Sequence, residues 1–238
     1  MDAVIEREKE VLESFKLYKK SNIKKLYFGQ GIAQSINKTK LGYLPLGWDA
    51  LKLTDLTTLI TKGTTPSSLG RSFEDKGINF IKIESITADS NYIKDKFEHI
   101  DEVTHEKLKR SQLQTDDILF SIAGALGRVA IVTSELCPAN VNQALAIIRL
   151  KKGINAKFII EYLRSEAVSL YIEKVHVKGA QPNLSLKDIN ELYVPIPPIV
   201  DQDRISIEVG NLIKILKTIV SKLSASQSLQ KSLINQIF

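Results

Sequence analysis

The chain has 238 residues, 43% apolar and 25% charged, enough to bury a sizeable core as one large domain or two smaller units. Its net charge of +6 invites a nucleic-acid partner, yet Pro45 to Ile199 holds 19 Lys and Arg against 19 Asp and Glu, so the excess lies in the two ends. No apolar run is long enough to span a membrane, the first residues lack a signal-peptide pattern, and the single Cys137 excludes an internal disulfide framework and a cysteine zinc site; a cytoplasmic protein without membrane contact is expected.

Residues 2 to 27 predict a helix, because Val4, Ile5, Val11, Leu12, Phe15, Tyr18, Ile23 and Leu26 recur at three, four and seven. Its acids (Asp2, Glu6, Glu8, Glu10, Glu13) all lie in the first thirteen residues and an acid-free basic stretch (Lys16, Lys19, Lys20, Lys24, Lys25) follows, an order that suits the helix dipole as well as it suits a DNA contact. Gly29-Gln30-Gly31 ends the helix, and Gln34 to Lys40 reads as a polar linker. A domain opens at Leu44-Pro45-Leu46-Gly47-Trp48, and the polar loop Lys62-Gly63-Thr64-Thr65-Pro66-Ser67-Ser68 follows. Gly77 to Ile83 alternates as a strand does, and residues 103 to 109 predict a short helix.

Asp117 to Ile122 predicts a strand, Ala123-Gly124-Ala125-Leu126-Gly127 a turn and Arg128 to Val132 the returning strand, a hairpin whose glycines permit positive φ. Ala144 to Leu150 is a further strand. Asn155 caps an expected helix through Glu173, with Phe158, Ile159, Tyr162, Leu163, Leu170 and Tyr171 on its buried face. Ser185-Leu186-Lys187-Asp188 has the form of a capping box, and the strand Tyr193 to Ile196 hands over at Pro197-Pro198 to a long C-terminal helix.

That helix carries the sharpest pattern in the chain. Ile205, Leu212, Ile219, Ser226 and Leu233 share one heptad position, while Val209, Leu216, Leu223, Gln230 and Ile237 share the other. The 4,3 spacing makes a narrow apolar seam of the kind that meets a partner helix, so Ile205, Val209, Leu212, Leu216, Ile219, Leu223, Leu233 and Ile237 are the expected dimerisation residues. The alternative is a terminal helix docked on its own domain.

Catalytic patterns are scarce. The chain has no phosphate-binding loop, no dinucleotide fingerprint and no nucleophile elbow, and His99, His105 and His176 are isolated from one another. Asp55 with Glu74-Asp75-Lys76 is the one nuclease-like set, but its carboxylates lie in a turn-like stretch and not on a strand. Loops rich in amide, hydroxyl and basic groups are better candidates for touching DNA: Lys62, Thr64, Thr65 and Ser67, then Arg128, then Lys178, Gln181 and Asn183. Gln181 and Asn183 also suit a self-satisfied turn.

Taken together, Leu44-Pro45-Leu46-Gly47-Trp48, Lys62-Gly63-Thr64-Thr65-Pro66, Asp117-Ile118-Leu119 before Gly124-Ala125-Leu126-Gly127-Arg128, Gly179-Ala180-Gln181-Pro182-Asn183 and Val194-Pro195-Ile196-Pro197-Pro198 before a long helix resemble the specificity subunit of type I restriction-modification systems. The resemblance covers about residues 41 to 238, with Asp201 before Gln202 where the family has Glu. It implies an α+β fold: one mixed target recognition domain with short strands at 44–198, a spacer-like helix and linker at 1–43, and a spacer helix at 199–238 that forms an antiparallel coiled coil. The usual subunit has two such domains and two spacer helices, so the chain resembles a half subunit that pairs with itself to read a bipartite palindromic site on double-stranded DNA. The resemblance also implies no catalysis and no cofactor in this chain. S-adenosylmethionine, ATP and magnesium belong by that reading to the modification and restriction subunits that are its partners. The rival classes are a metal-dependent nuclease or methyltransferase and a coiled-coil scaffold without a DNA role.

Overall fold

The computed structural model describes residues 2–30, 35–178 and 183–237. In chain order the elements are α1 (Asp2–Phe28), β1 (Ile36–Thr39), β2 (Gly42–Pro45), β3 (Asp49–Lys52), β4 (Thr57–Lys62), β5 (Ile78–Ile81), β6 (Glu98–Ile100), α2 (Glu102–Lys107), β7 (Ile118–Ser121), β8 (Val129–Ile131), β9 (Ala139–Val141), β10 (Leu145–Leu150), α3 (Ala156–Leu163), α4 (Glu166–Lys178), α5 (Leu186–Asn190), β11 (Tyr193–Ile196) and α6 (Ile199–Ile237). The α+β class expected from the sequence is the class observed.

An antiparallel sheet in the order β4-β10-β7-β8 forms the centre, and alternation along its strands explains why both of its faces are buried. Ile118 and Phe120 of β7, with Ala146 and Ile148 of β10, join Leu44, Trp48, Phe158 and Tyr162 on one face. Leu119, Leu145 and Ile147 point the other way and join Ile81, Val132 and Val141. Ile81 and Val141 belong to a second sheet, β6-β5-β9, which covers that opposite face. The β7–β8 hairpin pairs Phe120 with Val129, as the turn glycines indicate.

Two local expectations change. Gln34 to Lys40 is not all linker, because Ile36–Thr39 pairs with Gly42–Pro45 as a two-stranded ribbon. The Thr39 hydroxyl donates to the Gly42 carbonyl at 2.8 Å and accepts from the Leu41 amide at 3.1 Å, and Gly42 takes φ +97°. β1 is half exposed and three of its four residues are polar, so it carries little hydrophobic signal, whereas Leu44 and Pro45 of β2 are buried. The helix expected from Asn155 to Glu173 is two helices that break at Arg164-Ser165. Asn155 Oδ1 accepts from the Phe158 amide at 3.0 Å as an N-cap, while the Ser165 carbonyl accepts from the Val168 and Ser169 amides and starts α4 anew.

The long C-terminal helix finds its partner inside the chain. Gln230 donates to Asp2, Lys222 lies 3.6 Å from Glu8, and Leu26 and Tyr27 share a buried cluster with Ile205 and Val209, so α1 runs antiparallel along α6. α1 supplies a seam of its own at 5, 8, 12, 15, 19, 22 and 26, with Ile5 and Leu26 buried and Leu12 and Phe15 half-buried. Glu8, Lys19 and Asn22 interrupt it, which is why its pattern reads as looser than that of α6. The seam expected to meet a second copy is thus covered over most of its length by α1. Ile205 and Val209 are wholly buried in the domain core, as in the docked-helix alternative; Leu212, Leu216 and Ile219 are half-buried, Leu223 is buried, and Leu233, beyond the reach of α1, is exposed. The Ile237 side chain lies outside the described set. One cluster runs from Leu26 to Val209, so the core crosses both expected borders, at 43 and at 198.

Candidate nucleic-acid interface

The antiparallel order of the central sheet gathers its loops at one end. β4 ends at Lys62, β10 starts at Leu145, β7 ends at Ser121 and β8 starts at Val129. The polar loop after β4 therefore sits beside the β9–β10 turn and the β7–β8 turn. The Gly63 amide donates to the Leu145 carbonyl at 3.3 Å and the Thr64 amide to the Val141 carbonyl at 3.2 Å. Gly63 is required here, since a Cβ would lie 1.8 Å from the Val141 oxygen.

Side chains splint the same loop. The Thr65 hydroxyl donates to Gln143 Oε1, and Arg110 Nη2 donates to Thr64 Oγ1 at 3.3 Å. Pro66 opens a single 3-10 turn that Gly70 ends at φ 67°. Arg71 then ties the loop to α2, with Nη2 2.5 Å from Asp101 Oδ2, while Asp101 Oδ1 caps that helix at the Thr104 amide. Bonds from Thr104, and then from Arg71, lower the Asp101 carboxyl to about 2, so the anchor stays ionised through the neutral range.

The candidate DNA residues divide as follows. Lys62 and Ser67 are exposed, Thr64 and Thr65 are half-buried, and Asn183 is exposed beside them because the Leu184 amide donates to the Ile122 carbonyl at 2.9 Å. Arg128 stands at the same end but is half-buried, with Nη1 donating to the Ile86 carbonyl at 2.6 Å; that nitrogen braces a neighbouring turn. Lys178 closes α4 and its side chain is outside the described residues, as is Gln181 altogether. Arg110 and Gln143, both exposed, were not singled out from sequence. The signal for Gln143 was available in the polar pair Asn142-Gln143 between two apolar runs, the form of a turn tip.

Other sets stay apart or are self-contained. Asp55 precedes β4 and so lies at the opposite end of that strand from Lys62, with its carbonyl 2.7 Å from Lys151 Nζ, while the Glu74 amide donates to the His99 carbonyl. Among the described residues no group of three His, Cys, Asp or Glu is placed to hold a metal ion. His105 Nδ1 lies 2.5 Å from Asn140 Oδ1, a buried amide that also bonds the Leu108 carbonyl, so this histidine serves the core. No described helix is long and apolar enough to cross a membrane.

Residues 45–226 match the family model described as the type I restriction modification DNA specificity domain, a span that runs from β2 well into α6. The chain is 30% identical over 172 residues to the type I restriction enzyme EcoBI specificity subunit of Escherichia coli, covering 68% of this chain and 35% of that subunit. It is 22% identical over 215 residues to a putative type I restriction enzyme MjaX specificity subunit of Methanocaldococcus jannaschii, covering 86% of this chain and 48% of that one. It spans about a third to a half of the length of these curated relatives. In fold it is similar to the HsdS subunit from Thermoanaerobacter tengcongensis, with a TM-score of 0.63 at 18% identity, covering 100% of this chain and 56% of that one. The family match covers both the sheet-end loops and most of the helix that carries them, and the chain belongs to the type I restriction modification DNA specificity domain family.

Proposed function

We propose that this chain is the DNA-reading component of a type I restriction-modification enzyme and works as a half subunit. The observation that carries the reading is the convergence of Lys62, Thr64, Thr65, Ser67, Arg110, Gln143 and Asn183 at one end of a sheet buried on both faces. Recognition of duplex DNA needs amide, hydroxyl and basic groups held in fixed geometry, with phosphate contacts setting position and base-edge contacts setting sequence. Base chemistry then falls to modification subunits that use S-adenosylmethionine, and cleavage to ATP-driven restriction subunits, both docked on this one.

Two copies associate through the helix pair. α1 already lines the α6 seam, so the surface left for association is the outer line of that pair. Val4, Val11 and Tyr18, seven residues apart, and Ile215 and Leu229 are each about half exposed, and the antiparallel register sets Val4 near Leu229 and Tyr18 near Ile215. Two-fold pairing is the commonest closed arrangement and gives two identical readers. Gel shifts with a pool of defined duplexes, with the chain alone and with a modification subunit added, test the reading. A retained, sequence-dependent band is expected; no retardation in either mixture overturns it.

A further inference from the structure

Resting on that DNA-reading role, we infer that Gln143 is a base-reading residue and that Thr65 is its positioning residue. Gln143 stands at the tip of the Asn142–Ala144 turn between β9 and β10, exposed, on a backbone that two elements pin. Asn142 Oδ1 accepts from the Ala144 amide at 3.3 Å, and the Asn142 carbonyl accepts from the Leu145 amide at 3.3 Å. From the other side, Gly63 packs with no room for a side chain against the Val141 and Asn142 carbonyls. The turn thus projects its side chain from the rigid end of the sheet.

The amide itself is tethered. The Thr65 hydroxyl donates to Gln143 Oε1, which holds that end of the amide and uses one of the oxygen's two lone pairs. One acceptor site and the two Nε2 hydrogens remain. A side-by-side acceptor and donor match the adenine edge in the major groove, where N6 donates and N7 accepts, and Gln is one of the two side chains that make this bidentate pair. Arg110 is held differently: one nitrogen meets Thr64 and the rest of its fork is exposed, which suits a phosphate.

Selection of bound sequences from a random duplex library, using the chain with its modification subunit, tests this. The wild-type complex is expected to select a site with adenine at one position whose identity depends on Gln143. Gln143→Ala should lose about 5- to 150-fold of the discrimination at that base pair alone, the range of a good bidentate pair. Gln143→Glu turns the donor into an acceptor and should shift the preference there towards cytosine. Thr65→Val should blunt the preference at the same position more than at any other, and Thr65→Ser should restore it, an outcome that a structural role in the loop would not give. Arg110→Ala should weaken all sequences alike. If the wild type selects a clear site and Gln143→Glu leaves every position unchanged, the inference is wrong while the DNA-reading role stands. If the wild type selects nothing, the role itself fails.

Discussion

Arg149 holds Asp117 through two bonds of 2.7 Å, from Nε to Oδ1 and from Nη2 to Oδ2, in a pair whose carboxylate side chain is 1% exposed. Asp117 Oδ2 also accepts from the Gln114 amide at 2.8 Å, so the approach to β7 and the far part of β10 are locked together. Removing one partner leaves a charge without its counterpart. Arg149→Met is expected to cost roughly 3 to 5 kcal/mol by chemical denaturation, whereas the double change Asp117→Leu with Arg149→Met should cost much less. Equal losses from both variants would mean that the pair does not act through its charges.

Tyr27 predicts an alkaline limit to stability. Its hydroxyl donates to the Phe158 carbonyl at 2.8 Å, and burial, followed by the charge of Glu161, pushes the phenol well above its ordinary value of 10.0. A raised folded pKa means that the neutral form is the one stabilised, so this contribution is complete below pH 10 and is lost as pH rises beyond it. Tyr162 shifts the same way through burial, so Tyr27→Phe should flatten the alkaline fall in melting temperature without abolishing it. At neutral pH the same variant should cost about 1 kcal/mol for the lost bond. An unchanged pH profile would contradict the assignment.

Charged replacements separate association from folding. Ile215→Glu with Leu229→Glu acts on exposed positions and should give monomers that keep a folded domain, read by light scattering and circular dichroism. Leu223→Glu acts under α1 and should loosen the helix pair itself. If the mass is unchanged in the first variant, the outer line is not the contact between copies.

Two identical readers predict two identical half-sites, so the target should be an interrupted palindrome. The 39 residues of α6 span roughly 58 Å at 1.5 Å each, a length equal to about 17 base pairs of duplex at 3.4 Å per step. Because α1 lies in register along α6, the rod is lengthened by inserting one heptad at matched points of both helices. The gap between half-sites should then widen by about 3 base pairs with the half-sites unchanged. Sequencing of methylated adenines made by the reconstituted complex reads this directly, and a gap indifferent to the insertion rejects the helix as the ruler.

Most of the fold was legible because burial on two faces leaves strong local signals. Ile118 to Phe120 and Leu145 to Ile148 are apolar without a break, and the Ser185–Asp188 capping box forms as spaced, with Asp188 Oδ2 accepting from the Ser185 amide at 2.8 Å. The half-exposed, mostly polar β1 gave no such signal. The break at Ser165 was hidden because apolar spacing continues across it. The partner of α6 was missed because Glu8, Lys19 and Asn22 dilute the seam of α1, and only the register shows that Glu8 meets Lys222 across the pair. At the candidate interface the β4 loop was readable from composition. Gln143 showed in sequence only as a turn tip, and its link to Thr65, 78 positions away, needs β10 to return beside β4; Arg110 is brought to Thr64, 46 positions away, by the turn that follows α2.

The salt dependence of DNA affinity tests the central claim most directly. For wild type, Lys62→Ala and Arg110→Ala, the logarithm of the association constant is measured against the logarithm of salt concentration on one duplex. If the sheet end faces the DNA, each variant should weaken binding and lower the slope by about 1, the loss of one phosphate contact. Wild-type affinity and wild-type slope in both variants would place the DNA elsewhere on the molecule.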